Sequence, residues 1–176
     1  MLRTFPDQVL QTTGRILALT AVLMASSAAA GHAGSCPRGV LAQLNGLYRW
    51  HVASQSRDTF STQKKRFTPS LYNRINKAFA LSPEKDGRFV DFDIFSDTQV
   101  ATFGADVLAC YPATGTKLEA IVAVRTGLRG MESEFPQLLR YRMIKDSKGQ
   151  WRIRNILWGN YGEQQNLKRF LNDLLS

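Results

Sequence analysis

The chain has 176 residues, 44% apolar and 10% aromatic, with 23 Lys and Arg against 14 Asp and Glu. This composition excludes a disordered or low-complexity chain and fits one domain with a single hydrophobic core. The net charge of +9 draws the protein toward anions such as phosphate groups, lipid headgroups or acidic partners, and says nothing about its fold.

The first 30 residues read as a cleavable leader. Arg3 and Arg15 flank a single acid, Asp7; residues 16–24 are apolar and uncharged; residues 26–30 are small. A basic head, a short apolar middle and a small-residue tail form the signal-peptide pattern. The apolar run falls short of the roughly 20 residues needed for a membrane span. The expected organisation is a signal peptide over 1–30, a processed segment over 31–37 and one domain over 38–176, in a periplasmic or secreted protein without a transmembrane span after cleavage. Losing Arg3, Arg15 and Asp7 leaves 21 basic and 13 acidic residues, a net charge of +8.

The two cysteines, Cys36 and Cys110, are an even count in an exported chain and point to a disulfide. Two buried free thiols are the alternative. Residues 33–36 only faintly match a lipid-attachment box, because the small residues stand in the wrong order and no Leu precedes them.

The mature region opens with a helix. Val40, Leu41, Leu44, Leu47, Tyr48, His51 and Val52 recur at three- and four-residue spacing. Residues 58–66 are polar and suggest a turn or short helix. Thr68-Pro69 marks the next helix start, a capping hydroxyl followed by proline in the first turn, with Leu71, Ile75, Ala78 and Phe79 on one face. Ser82-Pro83 ends it, and a charged loop follows. From about residue 103 the period becomes two: Phe103, Ala105, Val107, Ala109 and Tyr111 alternate with Gly104, Asp106, Leu108 and Cys110. A Val- and Ile-rich strand covers 118–126, and an irregular connection covers 127–136. Leu139, Tyr141 and Met143 then alternate with Arg140 and Arg142, and beyond a hairpin turn at 146–149 Trp151 and Ile153 alternate with Arg152 and Arg154. A helix over 163–175 closes the chain. Segregated helices and antiparallel strands define an α+β fold.

At this point the chain resembles the nuclear transport factor 2-like superfamily, and within it the secreted bacterial family called domain of unknown function 3828. The resemblance spans residues 38–175. It rests on Tyr48-Arg49-Trp50, Phe67-Thr68-Pro69, Phe92-Asp93-Ile94-Phe95, the final hairpin at 141–156 and Asn166-Leu167-Lys168. It implies a cone-like fold, with N-terminal helices packed on a curved antiparallel sheet, a C-terminal helix, and a pocket between the concave face and the helices. Superfamily members include enzymes, ligand binders and docking modules, so the fold does not select an activity.

Candidate chemistry is sparse. Asp91, Asp93 and Asp97 lie close together, but Phe95, Ser96 and Thr102 occupy positions where a calcium loop needs a ligand, a glycine and a glutamate; turn and cap roles suit these acids better. The resemblance suggests one enzymatic arrangement, an aspartate base with a tyrosine donor at the developing oxyanion, for which Asp106 and Tyr141 are the weak candidates. After cleavage His51 is the only histidine, which excludes a histidine-rich metal centre, and no nucleophile signature accompanies it. Tyr48, Trp50, His51, Phe103, Tyr141 and Trp151 are the expected core and pocket lining. Arg140, Arg142, Arg152 and Arg154 should share one sheet face, either as a surface for an anion or acidic partner or as a solvated face that deters edge pairing. No recognition helix, stacking motif or glycine-rich phosphate loop argues for nucleic acid or nucleotide, and no cofactor or metal is implied. The resulting expectation is a non-enzymatic binding module of the cell envelope. It would hold a small apolar ligand in the cone or an acidic envelope protein on the basic face, with homodimer formation left open; a cone-pocket isomerase or dehydratase is the alternative.

Overall fold

The structure, a computed structural model, describes residues 35–54, 57–159 and 162–176. The leader and most of the 31–37 segment lie outside these residues. Helix α1 (Arg38–Ser54) is followed by a short 3-10 helix (Phe60–Arg66), then α2 (Pro69–Phe79) and α3 (Pro83–Asp86). Strands β1 (Ala101–Pro112), β2 (Lys117–Leu128), β3 (Met131–Glu132), β4 (Gln137–Lys145) and β5 (Trp151–Trp158) follow, and α4 (Leu167–Leu175) ends the chain. The fold is α+β: helices pack on an open antiparallel sheet ordered β1-β2-β4-β5, with the two-residue β3 paired to the end of β2.

The expected stripe of α1 faces inward. Val40, Leu44, Leu47 and Tyr48 are buried, as their three- and four-residue spacing requires. The polar 58–66 segment is held to α1 by Arg66, whose guanidinium donates to the Ala42 and Gln43 carbonyls at 3.1 and 3.2 Å. The same segment carries Phe60, a ring near the centre of the core. Phe67, Tyr72 and Phe79 surround it with centroids 5.3–5.5 Å away, within the range where aromatic pairs add to simple area burial.

Two helix boundaries differ in detail from the sequence reading. Thr68 precedes α2, yet its hydroxyl makes no cap bond. Its backbone N–H instead donates to the Ile153 carbonyl at 2.9 Å, so that α2 starts against the edge strand β5. Ser82-Pro83 opens the short helix α3, with the Ser82 hydroxyl accepting from the Lys85 amide at 3.3 Å.

The sheet also departs from simple alternation. Register skips in the β1–β2 pairing leave Phe103 and Leu108 without partners, and a skip in the β4–β5 pairing does the same to Arg154. Each bulge moves the inward set by one residue. The core side of β1 is therefore Thr102, Ala105, Val107 and Cys110, facing Thr126, Val124, Val122 and Ala120 of β2. On β5 the core residues are Ile153, Ile156 and Trp158, opposite Met143, Tyr141 and Leu139.

Cys36, just before α1, is joined to Cys110 on β1 with a Cα separation of 5.0 Å. No helix among the described residues is long and apolar enough to cross a membrane. The bridge spans 74 residues, and a loop of that size contributes about 4 kcal/mol in the chain-entropy model. A Cys36→Ser/Cys110→Ser double variant should therefore unfold at markedly lower denaturant than the oxidised protein; equal midpoints in urea titrations would refute the contribution.

Candidate functional site

One turn of chain, residues 91–98, is fastened to the domain by three side chains that the sequence scatters. Trp158 donates its indole N–H to the Ile94 carbonyl at 3.1 Å. Tyr48 donates to the Phe95 carbonyl at 2.7 Å. His51, in the last turn of α1, meets the Asp93 carboxylate at 2.7 Å through Nε2. The turn closes tightly, with the Asp97 amide on the Asp93 carbonyl at 2.8 Å and Asp97 left-handed at φ 58°, a conformation aspartate tolerates better than most residues.

Asp93 is the polar centre of this arrangement. Its Oδ1 accepts from the Phe95 amide at 2.9 Å. Its Oδ2 accepts from His51 Nε2 at 2.7 Å, Ser96 Oγ at 2.6 Å and Thr102 Oγ1 at 3.1 Å. Burial alone would raise the pKa of this carboxyl, but the hydrogen bond and charge of His51, with the bonds from Ser96 and the Phe95 amide, hold it below the ordinary aspartate value. An ionised carboxylate only accepts, so Nε2 of His51 carries the shared proton and Nδ1 is the nitrogen left for other work. Three of the four donors converge on Oδ2, while Oδ1 accepts from the Phe95 amide, so the carboxylate serves as the anchor of the turn.

Beside this pair lies a buried tyrosine dyad. The hydroxyls of Tyr48 and Tyr141 are 2.7 Å apart. Tyr48 spends its proton on the Phe95 carbonyl, so Tyr141 donates to Tyr48. Burial pushes both phenols above their ordinary value, and the nearby Asp93 charge adds to this. They are neutral, satisfied core groups.

A cavity of about 250 Å³ opens next to Asp93. Trp50, Phe79 and Phe92 give it aromatic walls, and His51, Arg57 and Thr102 give it polar ones. The Arg57 guanidinium lies 4.9 Å from the centre of the Phe79 ring and donates to the Val90 carbonyl at 2.8 Å. Its partial burial lowers its pKa, against the opposing pull of Asp93 and Asp91, while leaving it a cation.

The expected pocket residues are divided among several places. Trp50 and His51 line this cavity. Tyr48 and Phe103 line a second one, between α1 and β1. Tyr141 is fully buried in the core. Trp151 lies away from both cavities, against Gly39 and under the Lys145 ammonium at 5.2 Å. Asp106 and Tyr141 are not brought together: Asp106 stands on the opposite sheet face, 67% exposed and 3.5 Å from Arg125. The turn role expected of Asp93 is present in its bond from the Phe95 amide. Its pairing with His51 across 42 residues has no spacing signal, and Arg57 carried no signal at all.

The arginine face is largely neutralised from within. Arg140 and Arg142 reach Glu119 at 3.5 and 3.7 Å, and Arg142 also pairs with Glu163. Arg152 is 2.9 Å from Asp146. Arg154 sits at the bulge, exposed, with no ion pair among the described residues. No group of three or more His, Cys, Asp or Glu among the described residues is placed to hold a metal ion.

Two measurements check this network. Tyr48→Phe strands the Phe95 carbonyl and the Tyr141 hydroxyl and should cost about 1–3 kcal/mol, whereas Tyr141→Phe leaves Tyr48 bonded to the Phe95 carbonyl and should cost about 0.5–1.5 kcal/mol; the reverse order in denaturant titrations would refute the donor direction. Asp93→Asn should destabilise by about 2–4 kcal/mol at neutral pH. Because the folded pKa lies below the reference value of 3.8, the carboxylate's contribution is fully present above that value and is lost as pH falls through the lower folded one. The stability gap between wild type and variant should narrow over that acid range, and a gap constant with pH would count against it.

In comparisons with known proteins, no family model matches the chain, and neither a curated protein nor a solved structure matches it.

Proposed function

We propose that this protein is an extracytoplasmic, non-enzymatic binding module that holds a small ligand in the aromatic pocket beside His51 and Arg57. The observation that carries the reading is the fourfold hydrogen bonding that commits Asp93 to holding its turn. The Asp93 carboxylate at the cavity is held by four hydrogen bonds, and the neighbouring tyrosines have spent their protons on each other and on the backbone. An acid–base role for Asp93 with Tyr48 or Tyr141 would have to break bonds that hold the turn in place. The pocket retains what recognition needs, apolar walls with a few fixed polar groups. Its aromatic rings suit a flat apolar body, and Arg57 with His51 Nδ1 suits a polar or anionic edge.

The leader pattern and the Cys36–Cys110 bridge support a periplasmic or secreted address. Kinship with the nuclear transport factor 2-like superfamily is proposed on the sequence motifs and agrees with the order of helices, meander and closing helix. Docking of an acidic partner on the arginine face is the weaker form of the binding reading, since Glu119, Glu163 and Asp146 already hold three of the four arginines.

One observation favours a second reading. Asp93 fixes the tautomer of His51 and leaves Nδ1 available, the arrangement of a general base with a positioning partner. Native mass spectrometry of protein purified from its own envelope separates the two. The binding reading expects a co-purifying small molecule that is lost when Val100→Trp fills the cavity and is recovered chemically unchanged. Time-dependent conversion by wild type but not by His51→Gln would replace that reading with the enzymatic one, and ligand retention in Val100→Trp would remove the pocket from consideration.

A further inference from the structure

The second cavity, about 440 Å³, lies between α1 and the edge strand β1. It shares no lining residue with the His51 pocket. Asn45, Arg49, Val52 and Ala53 contribute from α1, residues 103–106 from β1, and Arg125 from β2. We propose that this groove binds a single-headed amphiphilic anion, with its apolar chain against Phe103, Val52 and Ala53 and its carboxylate on Arg49 and Arg125.

The lining explains the choice. Asn45, Arg49, Val52 and Ala53 recur at helical spacing and so form one stripe of α1, polar at its N-terminal end and apolar at its C-terminal end. Phe103 belongs to the bulge of β1 and has no cross-strand partner. The bulge turns its ring out of the main core, where it stays half-buried on the groove wall. Gly104 has a comparable role: a Cβ there would overlap the Arg125 guanidinium, so the missing side chain lets Arg125 lie across the strand at the groove.

Charge then selects the head group. Arg49 is exposed and has no carboxylate partner among the described residues. It lies close enough to the like-charged Arg66 to help lower the pKa of that residue. Arg125 has only long, exposed pairs, 3.5 Å to Asp106 and 3.4 Å to Glu132, which are weak and readily exchanged. Asp106 is the one acid in the lining, and Arg125 already offsets it. Two guanidiniums beside the apolar surface of Phe103, Val52 and Ala53 fit one carboxylate, which they can bind through paired N–H groups. A polyanion would find no further cations in the lining, and a neutral lipid would leave both guanidiniums unmatched.

The test uses decanoate, its neutral analogue decanol and the cation decyltrimethylammonium, with the purified protein followed by calorimetry and by amide chemical shifts. Decanoate should bind saturably below its micelle threshold and shift residues around Phe103 and Arg125, with decanol weaker by about tenfold or more and the cation not binding. Arg49→Gln and Gly104→Ala should each weaken decanoate by about tenfold. Gly104→Ala displaces only the flexible end of Arg125, so its unfolding midpoint should stay near wild type. Ala53→Trp should fill the slot and abolish binding. Equal affinity for decanol, unchanged decanoate binding in Arg49→Gln and Gly104→Ala, or absence of saturable binding would overturn the inference. Shifts confined to Trp50 and His51 would place decanoate in the other cavity and also overturn it, without bearing on whether that cavity has a ligand of its own.

Discussion

The Asp93 carboxylate is the interaction on which the functional end of this domain depends. A desolvated carboxylate is tolerated only when its lone pairs are met. Here the donors come from α1 through His51, from the first residues of β1 through Thr102, and from its own turn through Ser96 and the Phe95 amide. One side chain thus ties a helix, a strand and a loop together. Phe95 extends the network: its amide donates to Asp93 and its carbonyl accepts from Tyr48, which accepts in turn from Tyr141 on β4. The loop that borders the pocket is consequently as firmly placed as the core beside it.

The same network occupies the groups nearest the core. A group that holds others in position is poorly suited to exchange protons itself, and buried phenols pushed upward in pKa do not compensate for it. The cavity presents aromatic walls together with Arg57, His51, Asp91, Thr98, Gln99 and Thr102.

Bulges decide the character of the sheet surfaces. At Phe103, Leu108 and Arg154 one residue drops out of register, and each skip exchanges inside for outside. Cys110 thereby reaches the core side and meets Cys36, Phe103 is left to line a groove, and Arg154 stands apart from the other three arginines. Within the remaining set, cross-strand Glu119 and the hairpin's Asp146 supply counter-charges, so a row that looks uniformly basic in one dimension is mixed in three.

The sequence by itself determined the α+β class, the order of helices and strands, the inward stripe of α1 and the cysteine pairing. Each follows from local periodicity or from a count, and local rules survive folding. The tertiary structure alone decided the site. His51 and Asp93 are 42 residues apart, Tyr48 and Tyr141 are 93 apart, and no spacing in a chain encodes contacts across such distances. It also decided the strand faces beyond each bulge, because a period-two reading has no means of registering an unpaired residue. Asp106, only a weak candidate for a base, is exposed on the strand face that simple alternation gives it, while the partly buried acid, Asp93, sits in the turn before the sheet.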